Sequence, residues 1–206
     1  HLWNGLKSMK PWSLSWWKSL GKASTWKSFG AWLGELVIYG LEAMGIGEIY
    51  ETAADFIKFN TRGLTGGEIA TAKTVFGNSI DYNLVRIDER AVLGPSWTGR
   101  AYVSFHTINS WGALTERTLI HELTHVWQYE NMGAIYMPRA IHAQNAGGYD
   151  YGGTAALDAN KGVGMSAFNL EQQGEILGDY FTLKNNPTTA TTTLALYEIY
   201  VNEVRR

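Results

Sequence analysis

The sequence predicts a single α+β domain that is mainly helical, with a small sheet beside one helix that is rich in polar residues. Three observations support this prediction. Two stretches in the middle of the chain alternate as strands do, helical segments with capping signals lie on both sides of them, and no internal repeat is visible. The 206 residues are 45% hydrophobic and 13% aromatic, which is enough to bury a substantial core.

Residues 1–41 form a basic, tryptophan-rich segment, which we separate from the predicted domain at 42–206. The first 34 residues contain six of the nine tryptophans and five lysines but no acidic residue, so they carry +5 and the remainder −7. Trp12, Trp16 and Leu20 recur at helical spacing, which predicts an amphipathic helix. Such a helix can lie in a membrane interface or pack against the domain. We favour packing, because no linker follows the segment.

The overall composition excludes several classes of protein. A net charge of −2 and a pI near 6.2 argue against general binding of nucleic acid. The chain has no cysteine, so any metal must be held by histidines and carboxylates. The longest apolar run, at 31–41, contains Glu35 and is shorter than the ~20 residues of a membrane span. We therefore expect a soluble protein. Because the chain begins at His1, we also expect a processed fragment from which a leader could have been removed.

The first half of the predicted domain combines helices and two strands. The pattern from 42 to 60 stays helical, and Thr65 with Glu68 predicts a capping box for a helix that ends at Gly77. The segments 82–88 and 101–108 alternate as strands, with turn residues between them at 94–99. By analogy, we expect the second strand to form the edge to which an extended peptide substrate adds.

The second half of the domain is predicted to be helical. Thr115 caps a helix that runs to about Asn131, and a short helix lies near Ala155 inside a glycine-rich loop at 147–164. A further helix spans 169–184 and ends before an Asn-Pro pair. The last predicted helix spans 188–204, and four of its apolar residues fall largely on one side: Leu194, Tyr197, Ile199 and Val201.

The central motif is His-Glu-Leu-Thr-His, which starts at His121. On a helix, His121 and His125 lie one turn apart and project from the same face, so both imidazoles can reach one ion. Glu122 points about 100° further round. Its carboxylate can therefore take the proton of a zinc-activated water without binding the ion. The apolar residues that surround the motif predict a buried flank for this helix: Leu119, Ile120, Leu123, Val126 and Trp127.

A catalytic zinc site needs a third protein ligand. Position 131 is Asn, which excludes the spacing of metzincins, and neither His106 nor His142 stands at that spacing. The segment 169–180 offers a better set, because Glu171, Glu175 and Asp179 share one helical face. Two glycines, Gly174 and Gly178, lie on that same face, where small residues allow another helix to approach closely.

These motifs resemble those of the gluzincins, zincins whose third zinc ligand is a Glu on a second helix. More closely, His-Glu-Leu-Thr-His-Val-Trp-Gln, with the later Asn-Leu-Glu-Gln-Gln-Gly-Glu-Ile and Asp-Tyr-Phe, resembles predicted bacterial zincin-like peptidase domains. Those domains are associated with contractile-injection and polymorphic-toxin systems, so the resemblance implies a bacterial protein that can be exported. It covers about 64–183 and does not include the tryptophan-rich segment.

The resemblance implies a zincin-like fold and a peptidase that binds one Zn²⁺ and cleaves peptide or protein substrates. The Glu-Gln-Gln triplet favours Glu171 as the ligand, with Glu175 orienting a histidine. The alternative register makes Glu175 the ligand and Asp179 the orienting acid. Two other functions remain open: a non-catalytic binding or structural module with the same fold, and a membrane-acting secreted effector anchored by residues 1–34.

The oxyanion that develops during peptide hydrolysis needs a hydrogen-bond donor. Tyr149 and Tyr151, in the glycine-rich loop, and His142 are the candidates that the sequence offers. For each of the three, ordinary packing in a loop or helix is the simpler explanation.

Overall fold

The computed structural model describes residues 61–91, 99–136, 139 and 148–205. The chain divides into two units, His1–Glu48 and Ile49–Arg206, and all of the described residues belong to the second. Several predictions fall outside the described residues: the tryptophan-rich segment 1–41, the helix at 42–60, the turn at 94–98, and His142.

The described strands form one four-stranded sheet. They are β1 (Thr61–Gly63), β2 (Arg86–Asp88), β3 (Tyr102–Ser104) and β4 (Thr107–Asn109), in the spatial order β1-β2-β4-β3. β2 runs parallel to β4, whereas the other two pairs are antiparallel. Among the strands described, β3 therefore lies at one edge of the sheet, with a partner strand on one side only.

Five α-helices lie wholly in the described part of the chain. They are α1 (Gly66–Phe76), α2 (Glu116–Met132), α3 (Gly153–Ala159), α4 (Leu170–Lys184) and α5 (Thr191–Val204). Side chains cap three of the helix N-termini, where backbone N–H groups lack partners within the helix. Thr65 and Asn169 form capping boxes at α1 and α4, and the hydroxyl of Thr115 accepts from Thr118 N at α2. The predicted starts of α1 and α2 are confirmed.

One apolar core joins the sheet to the helices, and α2 packs against β3, β4 and α4. Leu119, Ile120, Leu123 and Val126 are buried in this core, and Trp127 packs against it only partly buried. The predicted apolar flank of α2 is thus confirmed. None of the described helices combines the length and the apolar character that a membrane crossing requires.

Both predicted strands are shorter than the alternating pattern suggested. The strand predicted at 82–88 starts only at Arg86, because a turn precedes it in which Asp81 accepts the backbone N–H groups of Asn83 and Leu84. The strand predicted at 101–108 is a hairpin, β3 and β4, which turns at Phe105, where φ is +56°. Alternation alone could not show the hairpin, because the turn contains neither Gly nor Asn.

The last helix also differs from its prediction. It starts at Thr191 rather than 188, because Asn186 accepts the backbone N–H of Thr188 and closes a turn there. Tyr197 and Val201 are buried as expected, but Ile199 is 39% exposed. The buried face instead continues through Tyr200 and Val204 at helical spacing.

We predict that Leu123→Ala destabilises the domain strongly. Leu123 on α2 is fully buried, so its truncation should lower the free energy of unfolding by about 2–5 kcal/mol. Leu84 is 51% exposed and serves as the matched control, for which Leu84→Ala should change stability by less than about 0.5 kcal/mol. Chemical denaturation measures both changes, and equal losses would contradict the assignment of Leu123 to the core.

A second prediction concerns acid stability at the start of α1. Arg62 contacts Glu68 with an N–O distance of 2.8 Å, and this hydrogen bond lowers the pKa of Glu68 to about 2. The ion pair therefore stabilises the fold above the ordinary pKa of 4.5, and this stabilisation is lost as the pH falls from there towards 2. Glu68→Gln should destabilise the protein at neutral pH, and the difference from wild type should disappear in acid. Denaturant titrations across this pH range test it; a constant difference would contradict it.

Candidate metal centre

The two histidines of the central motif meet Glu171 inside the domain. Nε2 of His121 lies 3.4 Å and Nε2 of His125 lies 3.5 Å from the same oxygen, Oε2 of Glu171. The imidazole rings are 5.1 Å apart and nearly perpendicular. All three residues are buried, and one ligand atom of each lies within 4.8 Å of the others. This group could hold a metal ion.

The close approach of α2 and α4 creates this cluster. Gly174 lies on α4 three residues after Glu171, directly against the imidazole of His121, where an added Cβ would come within 2.8 Å of the ring. At Gly178 an added Cβ would lie 3.4 Å from the side chain of Arg117. The prediction that small residues on α4 allow it to approach the motif helix is confirmed.

The charges of the cluster are strongly coupled. Burial alone would raise the pKa of Glu171, but hydrogen bonds from His121 and His125 lower it to about 2. Burial likewise opposes protonation of His121, but its contacts with Glu171 and Glu175 raise its pKa to about 9. Burial raises the pKa of Glu122, against the opposing effect of the two histidines. Two imidazoles and the carboxyl groups of Glu122, Glu171 and Glu175 thus act on one another at this buried site.

Glu175 and Asp179 are not members of the His-His-Glu cluster. Oε1 of Glu175 lies 3.2 Å from Nδ1 of His121, and its other oxygen forms a close ion pair with Arg117. The same guanidinium lies 2.7 Å from Asp179. Glu175 therefore stands where an acid that orients His121 would stand, whereas Asp179 contacts neither histidine of the cluster in any described interaction.

A cavity of about 640 Å³ opens beside the cluster. Residues 99–104, which include the edge strand β3, form one wall. The cavity is also lined by the His-His-Glu cluster together with Glu122, Glu175 and Arg117. Glu122 is buried, and its Oε2 has no hydrogen-bond partner among the described residues.

The predicted oxyanion donors have different surroundings. Tyr149 lines the cavity, with its ring centroid 6.0 Å from that of His121. Tyr151 does not line it, because its hydroxyl donates to Asp179 and also pairs with the hydroxyl of Tyr197. His142 lies outside the described residues. The structure therefore leaves Tyr149 as the described candidate donor at the cavity.

His106 lies apart from the cluster, in the turn of the β3–β4 hairpin rather than in a strand. Its Nε2 is 3.4 Å from Glu130, and its ring packs edge-on against Tyr129 at 4.9 Å. His106 is therefore not a member of the His-His-Glu cluster.

Two residues at the site were not expected from the sequence. Arg117 pairs with Glu175 and Asp179, and it stands one turn before His121 on the same helix. Tyr136 lines the cavity, stacks near His125 at 6.3 Å and donates its hydroxyl to the backbone carbonyl at position 103. The spacing of Arg117 from His121 could have indicated the first residue. No spacing indicates Tyr136, because it lies beyond the end of α2.

Comparison with known proteins gives one informative similarity. The chain is 35% identical over 138 residues to the type VI secretion system spike protein VgrG2b of Pseudomonas aeruginosa, a match that covers 60% of this chain and 13% of that protein. The chain thus spans a small part of the length of this relative. This relative is a secretion-system protein, which agrees with the association that the resemblance of the motifs implied. No family model and no solved structure matches the chain.

The geometry predicts a ranking of zinc affinity among carboxylate variants. Glu171→Ala would take one of the three potential ligands out of the cluster, and we expect this variant not to retain stoichiometric zinc. Glu175→Ala should weaken zinc binding about 10–100-fold. Asp158 on α3 is exposed and pairs only locally with Lys161, so Asp158→Ala is the matched control and should bind as wild type does. Calorimetric titration with zinc decides it, and the reverse ranking would make Glu175 the ligand.

Proposed function

We propose that this domain is a zinc-dependent peptidase, with His121, His125 and Glu171 as ligands and Glu122 as the general base. The observation that carries the proposal is the convergence of three buried ligand atoms beside an open cavity. Two imidazoles and one carboxylate form the donor set of catalytic zinc sites in which a further position stays open for water.

The residues present fit such an ion. Both imidazoles direct Nε2 towards one carboxylate oxygen, and the buried Oε2 of Glu122 has no partner among the described residues. Zinc bound there would lower the pKa of a water to about 7 and polarise a substrate carbonyl. Glu122 follows a ligand directly in the chain and lines the cavity, so it can accept the proton of that water without serving as a ligand.

The cavity also has a wall suited to an extended peptide. β3 lies at the edge of the described sheet, and the segment 99–104 lines the same cavity as the ligands. A peptide that pairs with this edge as an added strand would present its backbone carbonyls to the cluster. Tyr149 lies at the same cavity, where its hydroxyl could donate to a developing oxyanion.

The similarity to a secretion spike protein supports a role as a secreted effector domain. In this proposal, the peptidase is the active part that a contractile-injection system delivers. A non-catalytic module with the same fold is the alternative. The intact Glu122 beside the ligands favours catalysis over that alternative, because metal binding alone would not require a buried base.

We predict that Glu122→Gln abolishes peptide hydrolysis but retains the metal. The amide has the shape of the carboxylate but cannot accept a proton from water. Zinc content and cleavage of a quenched-fluorescent peptide library should be measured on the same preparations, with His121→Ala as a control that loses both. Hydrolysis by Glu122→Gln at the wild-type rate would exclude Glu122 as the base, and a zinc-loaded wild type that cleaves no peptide would favour the non-catalytic module.

A further inference from the structure

The two histidines of the cluster have chemically different partners. Nδ1 of His121 faces the carboxylate of Glu175, which forms an ion pair with the guanidinium of Arg117. Nδ1 of His125 instead lies 2.8 Å from Oε1 of Gln128, a neutral amide three residues further along α2. Gln128 is only 1% exposed, so the contact is shielded from water.

The orientation of the Gln128 amide is fixed by its other contacts. Its Nε2 donates to the backbone carbonyl of Leu170, at 3.0 Å, and to Oε1 of Gln173, at 2.9 Å. A carbonyl oxygen can only accept, so Nε2 must point towards Leu170 and Oε1 must point towards His125. Nδ1 of His125 therefore carries the proton that it donates to Gln128.

The orientation of the Gln173 amide is fixed in the same way. Its Nε2 donates to the backbone carbonyls of Met165 and Phe168, both at 3.1 Å, so its Oε1 is the atom that accepts from Gln128. Each amide proton in this chain of hydrogen bonds has an acceptor. A flip of either amide would bring two nitrogens or two oxygens together.

We propose that Gln128 and Gln173 are positioning residues. They set the tautomer of His125 and hold its imidazole towards α4, the helix that carries Glu171. With the proton held on Nδ1, Nε2, which lies 3.5 Å from Oε2 of Glu171, is the nitrogen of His125 that would bind the ion of the proposed metal site. Because Leu170 directly precedes Glu171, the same hydrogen bonds also tie α2 to the start of α4. This inference rests on the metal site of the proposed function.

Gln172 provides a matched control from the same Glu-Gln-Gln triplet. Its side chain closes the capping box with Asn169 and donates to the backbone carbonyl at position 150, at 2.7 Å, so it does not contact His125 or Gln128 in any described interaction. The three residues of the triplet thus have separate tasks: Glu171 faces the histidines, Gln172 caps the helix, and Gln173 orients Gln128.

The test compares zinc affinity with folding stability in the full chain. Gln128→Met removes the acceptor for His125 and should weaken zinc binding about 10–100-fold. Gln128→Glu keeps an acceptor for His125 but cannot donate to Leu170, so it should lower the unfolding midpoint while retaining zinc affinity. Gln173→Met should weaken zinc binding less than Gln128→Met, and Gln172→Met should bind as wild type does. Competition with a chromophoric chelator measures the affinities.

Proton NMR of the zinc-loaded protein supplies a second readout. The Nδ1–H proton of His125 should exchange slowly with water in wild type and in Gln128→Glu, and rapidly in Gln128→Met. Wild-type affinity in Gln128→Met, or equal losses in Gln172→Met and Gln173→Met, would overturn the proposal. If Gln128→Met does not fold, the other variants decide. A wild-type protein that binds no zinc would instead refute the proposed function.

Discussion

The close contact between α2 and α4 brings together the three residues of the His-His-Glu cluster. Gly174 allows the two helices to approach until the imidazole of His121 lies against the backbone of α4, where an added Cβ would lie 2.8 Å from the ring. This approach brings Glu171 within 3.5 Å of both imidazoles. A bulkier residue at this point would separate the helices, and the three ligand atoms would no longer share a centre.

The parts of the site that lie on single helices could be predicted from sequence. His121, Glu122 and His125 follow from helical spacing. The carboxylate and glycine stripe on a second helix left Glu171 and Glu175 as alternatives, and the resemblance of the Glu-Gln-Gln triplet favoured Glu171. The capping signals at Thr65 and Thr115 also placed two helix starts correctly. These features succeed because each depends on residues only a few positions apart.

Other features could not be predicted from the local sequence pattern. The turn at Phe105 breaks a regular alternation without any turn-forming residue. Tyr151 was a candidate for the cavity, but Asp179 and Tyr197, which are far from it in sequence, hold its hydroxyl elsewhere. The contact of Arg117 with Asp179 likewise joins two helices. Such pairings are decided by tertiary packing, on which the local pattern carries no information.

The Nδ1 atoms of the two histidines have different partners, a carboxylate for His121 and a neutral amide for His125, and the difference follows from burial. Glu175, the partner of His121, pairs with Arg117. The side chain of Arg117 is 39% exposed, so water can solvate this ion pair. Gln128, behind His125, is almost fully buried, and a charged acceptor at that depth would need a buried cation. A neutral amide supplies the hydrogen-bond acceptor without that cost, provided that its own donors are satisfied. The backbone carbonyl of Leu170 and the side chain of Gln173, both at the start of α4, meet this condition. The segment that carries Glu171 therefore also completes the support of His125.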